Sequence, residues 1–367
     1  MSDKNPAHLD RFLADGVMRK NFPGAVCWIG NGHETYFYEK YGHRQILPAR
    51  MPMTRDTLFD LASITKPLVT AMMIMKLIDE KKLKLDDKIA RFMPAFKHKI
   101  NAHKTIKQLL THTSGIPSWF PVYFIPPELR LKFFATQNTG KRAVLYSCLG
   151  YLILGEIVEN ISGLRLNQLY QHLTDQLKLK YTSFNPPPKT ADVAATENGD
   201  LYEREKAFNF TAGSPVRSPD RIKVPDGFRW RDYVIKKEVH DGNCHYGYRG
   251  VAGNAGLFSN AADLVKIMRA YLNAEIVRLP TLRLMTRSHT GCKNPRGLGW
   301  LLNIYPGILS PRAFGHTGFT GTMVCHDPAI DLTVILLTND IHPRVKPDNM
   351  PPLRKRLMKI IARIVKP

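Results

Sequence analysis

Segments with strand character lie at the two ends of this chain, and segments with helix character lie between them. Near the start, Ala25–Ile29 and Thr35–Tyr41 read as strands, and Asn31-Gly32 between them is a strong hairpin signal. Near the end, strand-like runs occur at Trp300–Tyr305, Gly321–His326 and Leu332–Thr338. This order predicts one sheet domain interrupted by a helical insertion. The expected boundaries are 1–62 and 250–367 for the sheet domain and 63–249 for the mainly helical part.

The helical readings rest on apolar spacing. Residues 6–20 place Leu9, Phe12, Leu13 and Val17 on one face, and Pro23-Gly24 stops the helix. Residues 64–80, 105–110, 131–136, 149–161 and 166–177 follow, with Gly163 as a stop after the fourth. A helix is also expected from Ala261 to about Leu272. Leu353–Val365 should form an amphipathic helix whose charges face solvent. Residues 185–249 are Pro-rich, aromatic and irregular, which suits a loop shaping a cleft.

With 53 Lys+Arg against 31 Asp+Glu, the net charge is +22. Such a charge invites an anionic partner, or keeps the chain soluble by self-repulsion. Hydrophobic residues at 44% exclude wholesale disorder. The five cysteines are scattered, with no CxxC pair and no zinc spacing, and read as free thiols in a reducing compartment. No HExxH or paired histidine spacing occurs, so neither a metal nor a cofactor is expected. The start of the chain shows no apolar signal region. A cytoplasmic location is therefore expected, or a periplasmic one if this is the mature form of an exported protein.

Ser63-Ile64-Thr65-Lys66 stands at the beginning of the 64–80 helix. Residues i and i+3 share a helix face, so Ser63 Oγ and Lys66 Nζ can meet. A serine alcohol needs a base to become a nucleophile. A lysine with its pKa lowered by burial or by like charge can supply one. A free N–H at a helix start suits an oxyanion. Alone, the motif reads first as a serine cap followed by a surface lysine.

Two further motifs follow in order. Tyr146-Ser147-Cys148 precedes a helix, and His316-Thr317-Gly318 lies between strand-like segments. Ser-x-x-Lys, Tyr-x-Asn and Lys/His-Thr-Gly in this order resemble the serine penicillin-recognising family. That family holds class C β-lactamases, D,D-carboxypeptidases and related esterases. The segments 110–115, 253–259 and 337–342 are similar to family segments too, and the resemblance spans about residues 8–365. It implies an α+β, β-lactamase/transpeptidase-like fold: an antiparallel sheet flanked by helices, with an inserted all-helical region.

The resemblance also implies roles. Ser63 would be acylated, Lys66 would share its proton, and Tyr146 would activate Ser63 and protonate the leaving group. The N–H groups of Ser63 and Phe319 would form the oxyanion hole. His316 would hydrogen-bond Tyr146 or meet a substrate carboxylate, partly charged near neutral pH. Thr317, Gly318, Phe319 and Cys148 would bind substrate, with Gly318 letting a substrate backbone lie close. Cys148 stands where the family has Asn. A thiol is a weak hydrogen-bonding group and cannot replace an amide.

The implied function is an acyl-enzyme serine hydrolase, of esterase or D,D-peptidase type, on a small anionic acyl substrate such as a cell-wall peptide or an ester. The alternatives are a β-lactamase with a modified Tyr-x-Asn motif, or a non-catalytic binding or scaffold protein using the basic surface. Seven Lys/Arg between Arg217 and Lys237, interleaved with Phe228, Trp230 and Tyr233, would suit a nucleic-acid strand or a cell-wall fragment at the cleft rim. Nucleic acid is the minor reading. Membrane-surface contact by the C-terminal helix is not expected either, because its apolar stripe should pack on the sheet. No oligomeric state can be read. His240 and Asp241 are expected to form a pair that pins a loop, with a place in the cleft wall as the alternative. His112 is expected to be structural.

Overall fold

A computed structural model describes residues 7–140, 143–190, 192–213, 224–291, 293–346 and 349–365. The chain enters with α1 (Ala7–Met18), β1 (Gly24–Gly30), β2 (Thr35–Gln45), β3 (Met51–Pro52) and β4 (Phe59–Asp60). The helical middle holds α2 (Met72–Asp79), α3 (Ile89–Phe92), α4 (Ile106–Leu110), α5 (Pro127–Thr136), α6 (Cys148–Ser162) and α7 (Leu166–Gln176). There follow β5 (Ser183–Phe184), α8 (Leu201–Gly213), β6 (Leu257–Ser259), α9 (Ala261–Leu272) and α10 (Leu279–Met285). The chain closes with β7 (Leu301–Leu302), β8 (Phe314–Thr317), β9 (Met323–Asp327), β10 (Leu332–Thr338) and α11 (Met350–Val365).

The main sheet has the order β3-β2-β1-β10-β9-β8-β7, with every neighbouring pair antiparallel. Its centre joins the two ends of the chain: β1 pairs with β10, Ala25 opposite Thr338 and Ile29 opposite Val334. Side chains alternate between the faces of a strand, and both faces here are covered. Ala25, Cys27 and Ile29 pack with Leu9, Leu13, Leu357 and Ile361 under α1 and α11. Val26 and Trp28 point the other way, into a core shared with α2, α6 and α9. Burying an aliphatic side chain stabilises by about 1.5–3 kcal/mol, so the apolar stripe of α11 suffices to hold it on the sheet.

Four sequence expectations are corrected. The stretch 64–80 is not one α-helix: a 3-10 turn (Ala62–Ile64) and a π-helical segment (Lys66–Ala71) precede α2. Pro67 falls in the first turn of that segment, where its missing N–H costs nothing. The 185–249 region contains the helix α8, built from good helix formers such as Leu201, Glu203, Arg204 and Lys206. His316 and Thr317 lie on a strand, β8, rather than between strands. The charges of α11 do not all face solvent, since Arg354 is buried.

The basic stretch is also interrupted. Arg231 is buried and paired with Asp200 at 2.6 Å, while Arg217, Arg221 and Lys223 lie outside the described residues, as does Cys292. Cys27, Cys148, Cys244 and Cys325 are free thiols.

Candidate active site

Ser63 sits in the 3-10 turn between β4 and the π-helical segment. Lys66 opens the π-helical segment three residues on, and its Nζ donates back to Ser63 Oγ at 2.9 Å. It also donates to the Asn254 carbonyl at 2.8 Å and lies 5.1 Å from the Tyr146 ring centroid. Lys66 is fully buried. The residue before the nucleophile, Ala62, adopts a left-handed φ of 46°, a conformation that non-glycine residues rarely take. Asp60 holds it there, its carboxylate accepting the Ala62 N–H at 2.8 Å and the His240 N–H at 2.8 Å.

The segment after Gly253 forms the far wall. Thr70 Oγ1 donates to the Gly253 carbonyl at 2.7 Å, and the Leu257 N–H donates to Thr65 Oγ1 at 3.1 Å. These bonds place the Asn254 carbonyl over Lys66. Gly253 and Gly155 of α6 make a backbone-to-backbone approach, with a Cβ on Gly155 falling 3.0 Å from the Gly253 nitrogen.

Tyr146 precedes α6. Ser147 caps that helix, its Oγ accepting the Gly150 N–H at 2.9 Å. His112 supports the tyrosine: its Nδ1 accepts the Ser147 N–H at 3.0 Å, and its ring lies 4.5 Å from that of Tyr146. Burial, together with the charges of Arg296 and Lys66, holds His112 well below the usual histidine range, so it is neutral. Burial works against the Lys66 ammonium, but Cys148 and Tyr146 beside it hold its pKa above the ordinary lysine value. Burial raises the Tyr146 phenol as well. The expectation of a lysine with a lowered pKa is therefore corrected: the resting pair is ammonium and phenol.

His316 is corrected too. It is buried, and desolvation with the Lys66 charge pushes its pKa down to about 3, so the ring is neutral rather than partly charged. Its Nδ1 donates to the Thr317 carbonyl at 2.8 Å. In the neutral ring Nε2 then carries the lone pair, and Nε2 has no partner among the described residues. His316 therefore offers an acceptor, not a cation.

Gly318 is glycine for a different reason from the expected one. A Cβ there would meet Thr322 Oγ1 and would lie 2.5 Å from the Leu61 carbonyl. The protein's own β4-to-Ser63 segment, not a substrate backbone, occupies that space. Phe319 is exposed, and its N–H has no backbone acceptor among the described residues.

Two cavities meet at Ser63 and Tyr146. One, of about 370 Å³, is lined by Arg296, His316, Thr317, Gly318, Lys346 and Arg354. The other, of about 280 Å³, is lined by Trp119, Cys148, Tyr202, Glu203, Asp241 and Phe319. His240 also lines the second cavity and pairs with Glu197 at 3.0 Å, not with Asp241. The expected His240–Asp241 pair is thus replaced by two groups in the cleft wall. Burial pushes the Glu203 carboxyl up to about 7. Asp60, Arg296 and Arg354 belong to no sequence motif. Their places in the site depend on tertiary contacts.

A serine and a buried lysine three residues apart, with a tyrosine over them and an antiparallel strand alongside, define an SxxK-type hydrolase site. The comparisons agree. A family model described as Beta-lactamase matches residues 9–357. The chain is 31% identical to the N-acetylmuramyl-L-alanine amidase of Bacillus subtilis (strain 168), over 94% of this chain and 82% of that protein. It is 30% identical to a putative D-alanyl-D-alanine carboxypeptidase of Escherichia coli (strain K12), over 83% of this chain and 74% of that one. Its fold matches EstCE1, described as a hydrolase with promiscuous acyltransferase activity, with a TM-score of 0.72 at 20% identity and 99% coverage of both chains. The chain belongs to the Beta-lactamase family of serine hydrolases.

Proposed function

We propose that the protein hydrolyses small anionic acyl compounds, esters or D,D-peptide-like substrates, through an acyl-enzyme on Ser63. The observation that carries this reading is the 2.9 Å contact between Ser63 Oγ and buried Lys66 Nζ, open to a cavity with Arg296 and Lys346 in its wall. Once the Lys66–Tyr146 pair has lost one proton, it takes the Ser63 proton as Oγ attacks the carbonyl carbon. The Ser63 and Phe319 N–H groups receive the oxyanion, and Tyr146 returns the proton to the leaving group. Water, activated by the same pair, then releases the acyl group and restores the Ser63 hydroxyl.

The anionic preference rests on Arg296 and Lys346, because neutral His316 lacks the charge to hold a carboxylate. Cys148, at the edge of the second cavity, offers no amide to a substrate peptide group and favours esters. The names of the amidase and carboxypeptidase relatives support cell-wall fragments as the peptide class.

The test is hydrolysis of paired neutral and succinylated p-nitrophenyl esters and of a D-Ala-D-Ala peptide. Ester turnover should vanish in Ser63→Ala, and Arg296→Gln should raise KM for the succinylated ester alone. Turnover that survives Ser63→Ala refutes the reading.

A further inference from the structure

We propose that Arg354 is a positioning residue that aims the Phe319 N–H into the oxyanion hole. The inference rests on the acyl-enzyme reading above. Arg354 comes from the second turn of α11 and is 7% exposed. Its Nη2 donates to the Gly318 carbonyl at 3.3 Å and to the Thr322 carbonyl at 3.1 Å. Arg354 makes no ion pair within 4 Å among the described residues. A buried cation without a bonded carboxylate is unfavourably desolvated, and here its partners are two carbonyls of one turn.

The Gly318 carbonyl and the Phe319 N–H belong to one planar trans peptide unit, so they point in opposite directions. Fixing the carbonyl toward α11 fixes the N–H toward Ser63. A cation on the carbonyl oxygen also polarises the same peptide, strengthening its N–H as a donor.

The rest of the turn is tied to the nucleophile. Thr320 Oγ1 donates to the Asp60 carbonyl at 2.7 Å, and Thr322 Oγ1 to the Leu61 carbonyl at 3.3 Å. The Gly318 N–H donates to the Thr322 carbonyl at 2.8 Å. The Gly321 N–H also donates to the Gly318 carbonyl at 3.2 Å. The threonines thus set the height of the turn over Ser63, and Arg354 together with this bond sets the rotation of the peptide that closes the hole.

Arg354 also lines the cavity that holds Arg296 and Lys346, so direct contact with a substrate carboxylate is the competing role. Arg354→Met and Arg354→Lys separate the two. Loss of an oxyanion donor costs about 10²–10³ in rate, and a misaimed donor costs less. Arg354→Met should lower kcat on a neutral p-nitrophenyl ester about 10- to 100-fold, with KM unchanged. Arg354→Lys, which keeps a cation near the same carbonyls, should recover part of that loss. The Phe319 amide resonance should shift, and its hydrogen exchange should quicken, in Arg354→Met but not in Arg296→Gln. A loss confined to KM of the succinylated ester overturns the proposal, as does an unperturbed Phe319 amide. If Arg354→Met does not fold, the Arg354→Lys amide and kcat decide in the same way. Turnover that persists in Ser63→Ala would count against the acyl-enzyme reading instead, and the Phe319 amide would then judge the clamp by itself.

Discussion

Lys66 sets the proton balance of the site. It is an ammonium at rest and Tyr146 a phenol, both pKa values standing above their ordinary positions. One proton must leave this pair before Ser63 can be deprotonated, so acylation gains as pH rises. For a neutral ester, log kcat/KM should climb with a slope of about one between about pH 7 and 10. It should show no inflection near the ordinary histidine value, because His316 titrates at about 3. A plateau already reached at pH 6 would contradict this balance. At Cys148 the expected outcome is a gain: Cys148→Asn should raise turnover of amide substrates relative to esters by about 10-fold, the worth of a buried hydrogen bond of about 1–3 kcal/mol. An unchanged ratio would show that the missing amide does not limit the enzyme. Ser63, Lys66 and Tyr146 were legible in the sequence because their chemistry lies in short motifs. Arg354 was not, since its partner Gly318 lies 36 residues away on another element. The charge of His316 was misread because burial, which no motif records, decides it.

At the scale of elements, the site depends on close approaches of backbone. Gly253 faces α6 so tightly that a Cβ there would overlap the Tyr151 carbonyl. The next residue, Asn254, supplies the carbonyl that holds Lys66. Gly253→Ala should therefore destabilise the fold by about 3 kcal/mol, the upper range for overpacking, and cut activity through a displaced Asn254. Thermal unfolding and ester kinetics on the same sample check both effects, and a variant with normal stability and rate would refute the coupling. The hairpin at Asn31-Gly32 was visible from its turn residues, and helices α6, α9 and α11 from apolar periodicity. The short strand β8 was not: Phe314–Thr317 is too brief to show alternation, and its identity comes from pairing with β7 and β9. The π-helical segment at Lys66 likewise reflects packing around the nucleophile, not local propensity.

At the scale of the molecule, the first and last long strands pair at the centre of the sheet, so the two ends of the chain are joined in one core. Several histidines are buried in neutral form within it. His316 is pushed down to about 3, His326 to about 4, and His112 well below its usual range, each chiefly by desolvation. Their ordinary unfolded value is about 6.5. The unfolded chain therefore takes up these protons first as pH falls, and stability is lost from about pH 6.5 downward. A group depressed as far as His316 costs about 2 kcal/mol at pH 5. Glu203, raised to about 7, acts in the opposite direction and offsets about one such histidine. Denaturant unfolding should show a net loss on the order of 2 kcal/mol between pH 7.5 and pH 5 from His316 and His326 less Glu203, with His112 adding in the same direction. Stability that holds flat across that range would mean the histidines are not buried as described.

A covalent acyl-enzyme on Ser63 can be measured directly. The protein is exposed briefly to a succinylated phenyl ester and to benzylpenicillin, quenched in acid, and mapped by peptide mass spectrometry. One acyl group per chain is expected, on the peptide containing Ser63, and none in Ser63→Ala. An adduct on Cys148 or elsewhere, or one that persists without the Ser63 hydroxyl, would contradict it.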